Sequence, residues 1–128
     1  MAGTDVALLL VGVFLLGLGV VHSWLGEVRL IGPLLSPEGW SGRLVHSQYA
    51  RDVLRFAWHI TSLAWWGMGL SVAALAAPFS VTPQVALLVG TGVTCLISGL
   101  LTLIIGRGRH LAWPFFLAAA FCCWVPLA

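Results

Sequence analysis

The side chains in this sequence that could do chemistry are few and lie close to one another. Asp52, Arg55, His59, Ser62 and Trp66 recur at three- and four-residue steps, which puts them on one face of a helix. Earlier in the chain, His22 and Ser23 lie between Gly19 and Gly26, with Glu27 one turn beyond Ser23. Imidazoles from two helices with a carboxylate nearby can hold a transition metal such as iron, zinc or copper inside a bundle. Paired histidines at matched depth also suit axial ligation of a haem b. The expected ligands are His22, His59, Glu27 and His46. Arg55, Ser62, Asp52 and Ser23 are expected as a polar network or as substrate contacts, with Arg55 steering an anionic group.

Plainer roles compete with these. His46 and His110 lie beside Arg43, Arg107 and Arg109 and read equally as interfacial residues. His22 would also serve by hydrogen-bonding a backbone carbonyl where helices cross, and His59 by pairing with Glu27 or Asp52 as a structural lock. No HExxH, Glu-x-x-His or CxxC-type cage is present, nor a phosphate-cradling loop. Nucleophilic catalysis is not expected, because no His–Ser or His–Cys pair stands out at matched depth with an orienting acid.

The elements that position these residues follow from composition. Of 128 residues, 60% are apolar and 8% charged, too few charges to cover a soluble particle of this size. That excludes the soluble, nucleic-acid-binding, disordered and disulfide-scaffold classes. The expected fold is all-α: one polytopic membrane domain, residues 1–128, forming a four-transmembrane-helix bundle. The apolar runs cover about 6–26, 52–77, 85–106 and 111–127, and a bilayer needs roughly 20 helical residues. Continuous rather than alternating runs argue against a β-barrel. The N-terminus has no Lys or Arg before its apolar run, so the first span is expected to be retained.

All six basic residues are arginines: Arg29, Arg43, Arg51, Arg55, Arg107 and Arg109. They cluster at the connections between spans 1–2 and 3–4. The positive-inside rule puts that side in the cytoplasm and both termini outside. Between the first two spans, Val28, Leu30, Ile31, Leu34 and Leu35 are too apolar for a solvated loop, so an interfacial segment is expected there. Ser36-Pro37-Glu38 has the form of a helix start, and a helix from about Ser41 is expected to run through Arg51 into span two, with or without a kink.

Gly12, Gly19 and Gly26 are spaced by seven, as are Gly92, Gly99 and Gly106, so each set keeps to one helix face. Such stripes allow close approach, within one bundle or between copies as a homo-oligomer. Cys95 and the vicinal Cys122–Cys123 pair reach comparable depth. They read as small packing residues or as a soft-metal pair of the kind mercury transporters use. Trp24, Trp40, Trp58, Trp113 and Trp124 suit interfacial belts. Trp65 and Trp66 lie deeper, packed in the core, facing lipid, or lining a haem or lipid pocket.

The runs HSWLGE (residues 22–27) and LRFAWHITSLAWW (residues 54–66) resemble those of small bacterial four-helix inner-membrane proteins of uncharacterised function. The resemblance covers about the first half of the chain. It implies a prokaryotic inner-membrane location, draws attention to His22, Glu27, Arg55 and His59, and supplies no catalytic assignment. The leading expectation is a metal or haem site at the cytoplasmic leaflet, for redox, metal handling or chemistry on a membrane-soluble substrate. The alternatives are an oligomeric transporter or channel subunit and a non-catalytic accessory protein. The lipid bilayer is the expected partner and nucleic acid is not.

Overall fold

A computed structural model describes residues 3–36, 47–77, 79 and 81–128. The described residues are all-helical, with four helices. The first, α1, runs Gly3–Leu34, changing from α-helix (Gly3–Leu25) to a wide π turn over Gly26–Ile31 before a last short α turn. The second, α2, is Gln48–Ala73, and the third, α3, is Pro83–Ile105. The fourth, α4, is Ala112–Leu127, its last turn tightening to 3-10 at Val125–Leu127.

Local chemistry sets the boundaries. Ser47 is extended and its side chain accepts from the Ala50 N–H at 3.2 Å, so α2 has a defined N-cap. Thr82 caps α3 by accepting from Val85 N–H, with Pro83 at the first helical position. After α3, Arg107 (φ 49°) and Gly108 (φ 71°) are both left-handed and turn the chain toward α4. The Gly108 N–H bonds back to Leu103 O at 2.9 Å and closes the helix end.

The structure bears on three expectations. Residues 27–34 continue α1 as a helix, with Ile31 and the following Leu35 buried and Val28 and Leu30 exposed. No helix passes unbroken into α2, because Ser47 is extended; the expected start at Ser36–Glu38 and the stretch from Ser41, with Trp40, fall largely outside the described residues. Finally, among the described residues α1 and α3 are the two helices both long and apolar enough to cross a membrane. Helix α2 carries Arg51, Asp52, Arg55 and His59 in its first half, and α4 is short.

The four helices pack side by side. They lie in chain order as a row, α1 against α2, α2 against α3 and α3 against α4, and no other pair of these four is in substantial contact among the described residues. Many large apolar side chains consequently face outward, among them Phe14, Ile104, Leu111, Phe115 and Phe121.

Glycines set each seam. A Cβ on Gly12 would stand 2.8 Å from Ala73 Cβ and 3.1 Å from Gly69 O, so α1 and α2 touch there at backbone level. Gly19 leaves room for the Trp66 indole, whose Nε1–H donates to Leu16 O at 3.0 Å. Gly26 does the same for Trp58, which donates to His22 O at 3.2 Å. Gly67 and Gly90 make the α2–α3 crossing, and Gly92 and Gly99 receive Trp124 and Leu117 of α4. Both seven-residue stripes are therefore occupied by neighbours within the chain. Two apolar clefts of about 380 and 440 Å³ flank the α2–α3 crossing.

Candidate acid–base site

Where α1 meets the first half of α2, six polar side chains form one connected set. Arg55 Nε lies 3.1 Å from Glu27 Oε1, and His59 Nε2 lies 3.3 Å from Glu27 Oε2. The other nitrogen of the same ring, His59 Nδ1, is 2.9 Å from Ser23 Oγ. The Ser23 hydroxyl donates to Ser62 Oγ at 2.9 Å, and Ser62 Oγ is 3.1 Å from His22 Nδ1. Ser62 is fully buried; Glu27 and Arg55 are partly open, so the set runs from an accessible end to an enclosed one.

The helices make this register. Arg55, His59 and Ser62 lie on one face of α2, and Ser23 and Glu27 are one turn apart on α1, so antiparallel packing places them opposite one another. Glu27 belongs to the π turn, whose wider winding re-aims the residues that follow Gly26 relative to an uninterrupted α-helix. Such turns occur often at functional sites.

The two serines stand out against the other helical hydroxyls. Ser71 donates to Gly67 O, Thr94 to Gly90 O, Thr102 to Ser98 O and Thr61 to Trp58 O, each bonding back onto its own helix. Ser23 and Ser62 instead reach across the seam, so their hydroxyls belong to the histidines.

Proton counting gives the chemistry. The Ser23 hydroxyl has one proton to give, to Ser62 Oγ or, where His59 Nδ1 is the bare nitrogen of the ring, to His59. With Ser23 donating to His59, the Ser62 hydroxyl can donate to His22 Nδ1. The His22 ring stacks on Trp58 (4.3 Å, 6° between planes) and meets Trp65 edge-on.

No family model, curated protein or solved structure matches the chain.

Of the sequence candidates, His22, Ser23, Glu27, Arg55, His59 and Ser62 come together. Asp52 does not: it accepts from Gln48 on its own helix at 2.8 Å and lines a small polar cleft with Tyr49, Arg107 and Arg109. His46 lies outside the described residues. His110 sits in the α3–α4 turn, its Nδ1 accepting from Ala112 N–H and its ring edge-on to Phe56. The expected absence of a His–Ser pair with an orienting acid is overturned by Ser23–His59–Glu27. The missed signal was the register: Ser23 and Glu27 four apart on one helix face His59 on the other. Trp58, expected in an interfacial belt, is a wedge between the helices.

A protein metal centre needs three or four donors. Among the described residues no group of three or more His, Cys, Asp or Glu is placed to hold a metal. His59 and Glu27 meet at one point, while His22 directs Nδ1 to Ser62 and lays its ring on Trp58. The two imidazoles do not face each other across a slot, and no histidine lines either large cleft. Cys95, Cys122 and Cys123 are free thiols.

Proposed function

We propose that this chain is a multi-pass protein of a bacterial inner membrane, all four helices spanning, with both termini outside, whose polar cluster is an acid–base site at the cytoplasmic leaflet. The outward-facing apolar side chains on α1, α3 and α4 and the arginines gathered at one end support the membrane placement. In such a setting α2 keeps its charged first turns at the headgroups and its apolar second half in the hydrocarbon. Intramembrane ionisable groups are costly and are retained mainly where they act.

The observation that carries the acid–base assignment is the unbroken hydrogen-bonded series Glu27–His59–Ser23–Ser62–His22. It offers an imidazole nitrogen next to a hydroxyl and a second imidazole at the far end of the series. The series stops at His22. Beyond it the seam is filled by Trp65, by Trp66 over Gly19, and by the Gly12–Gly69 contact. No titratable side chain of α1 lies between Asp5 and His22. This favours local chemistry over passage through the membrane.

The test is a pair of measurements on tag-free protein. In liposomes under an imposed proton gradient, flux should equal that of empty vesicles, and elemental analysis should find metal far below one atom per chain. Proton flux lost in His59→Ala would replace this reading with a conducting path. Stoichiometric metal lost in the same variant would replace it with a metal site.

A further inference from the structure

We propose that Ser23 is the nucleophile of an acyl-transfer site whose substrate class is the ester of a lipid. The inference rests on the acid–base reading and adds to it the attacking atom and the electrophile.

A serine nucleophile needs a base within hydrogen-bond reach and a third group orienting that base. Ser23 Oγ is 2.9 Å from His59 Nδ1, and His59 Nε2 is 3.3 Å from Glu27, which Arg55 holds from its other oxygen. Roles rather than sequence order define such a set. Ser23 also lacks the bond to the carbonyl four residues back that occupies Ser71, Thr94 and Thr102, so its oxygen is committed to the base and to Ser62.

The substrate follows from where the seam opens. Among the described residues α1 packs chiefly on α2, and the side chains near Ser23 at Val20 and Trp24 are exposed. In a bilayer a reactant reaches Ser23 from among the lipids. Arg55 is partly open, and His59 lies four residues further along α2, about 6 Å deeper. A lipid with an anionic headgroup near Arg55 would bring its ester linkage, which joins headgroup to hydrocarbon, to the level of Ser23.

The step balances without a cofactor. Ser23 Oγ bonds to the ester carbonyl carbon as its proton passes to His59 Nδ1, and the imidazolium so formed faces the Glu27 carboxylate. The carbon–oxygen bond to the alcohol then breaks, the leaving oxygen takes the proton from His59, and the acyl group stays on Ser23. Water or a second alcohol attacks that carbonyl, gives its proton to His59, and Ser23 leaves with the proton restored. The backbone N–H groups around Ser23 are used in helix bonds, so the developing oxyanion must be met by a side chain. The Ser62 hydroxyl, 2.9 Å from Ser23 Oγ, is the adjacent donor when it turns from His22 to the oxyanion.

The test treats the full chain in phospholipid nanodiscs with an alkyl fluorophosphonate and with p-nitrophenyl octanoate, and locates adducts by mass spectrometry. The expected result is a single adduct on Ser23, absent in Ser23→Ala and retained in Ser71→Ala, whose hydroxyl is tied to its own helix. An unlabelled Ser23 in protein that is folded by circular dichroism, or equal labelling of Ser23→Ala, overturns the proposal. A Ser23 that stays unlabelled while its contact with the His59 ring persists overturns this proposal alone; loss of that contact overturns the acid–base reading with it.

Discussion

Leucine in place of Gly12 is expected to destabilise the protein strongly and to pull the acid–base cluster apart, although Gly12 touches none of its members. The α1–α2 crossing is made by two glycines: a Cβ on Gly12 meets Ala73 Cβ at 2.8 Å and Gly69 O at 3.1 Å, and a Cβ on Gly69 meets Leu15 Cβ at 3.0 Å and Gly12 O at 3.2 Å. Neither glycine faces a flexible side-chain end, so nothing gives way and the helices must separate. Overpacking a well-packed contact costs about 1–3 kcal/mol, and a backbone-to-backbone contact belongs at the upper end. His22 lies ten residues along α1, about 15 Å away. A splay at Gly12 therefore misaligns hydrogen bonds that tolerate only a few tenths of an ångström. Gly17 on the same helix has nothing within 4 Å of its would-be Cβ, so Gly17→Leu should leave both stability and cluster intact. Thermal unfolding in one detergent, run side by side, checks the contrast, and equal losses in the two variants would contradict it.

Substituting His59 with glutamine is expected to slow acylation of Ser23 by about 10²- to 10⁴-fold, the range a positioned general base contributes. Glutamine retains polar atoms that reach Ser23 and Glu27 but cannot accept a proton, so the fold should survive while the reaction does not. Glu27→Gln should have a smaller effect of the same sign. It keeps a hydrogen-bond partner for His59 Nε2 and removes the negative charge that faces the imidazolium formed during attack. Rates of Ser23 adduct formation in the three proteins measure this directly. A His59→Gln protein that labels at the wild-type rate would remove His59 from the role of base.

Much of the site was legible in the sequence because helix periodicity fixes which residues share a face. The spacing of Arg55, His59 and Ser62 on α2, and of Ser23 and Glu27 on α1, named all the members that later came together, with His22 beside them. What spacing does not give is the rotation of one helix against the other. Depth matching paired His22 with His59, as metal ligation would require; in the structure each histidine meets a serine instead. Asp52 has the right spacing for the α2 face, but it lies in the first turns, where a local bond to Gln48 wins over a reach to α1. The glycine stripes marked the seams and not the partners. In a chain apolar on nearly every face, no hydrophobic difference says which helix lies next to which, so an open row and a closed bundle carry the same pattern. The helical position of Glu27, one turn beyond Ser23, was legible, but the π turn that carries it was hidden for a related reason. A π turn is set by one residue's worth of extra winding and leaves no periodic signature in so short a stretch.

The central claim is that Ser23 and His59 are joined across the α1–α2 seam. Solid-state NMR of protein labelled with ¹⁵N-histidine and ¹³C-serine, embedded in lipid bilayers, reads that contact directly. The expected spectrum holds two cross-helix contacts, Ser23 with the His59 ring and Ser62 with the His22 ring, of which Ser23→Ala removes the first and keeps the second. A His59 ring with no serine carbon near it, in a protein that is otherwise folded, would contradict the account.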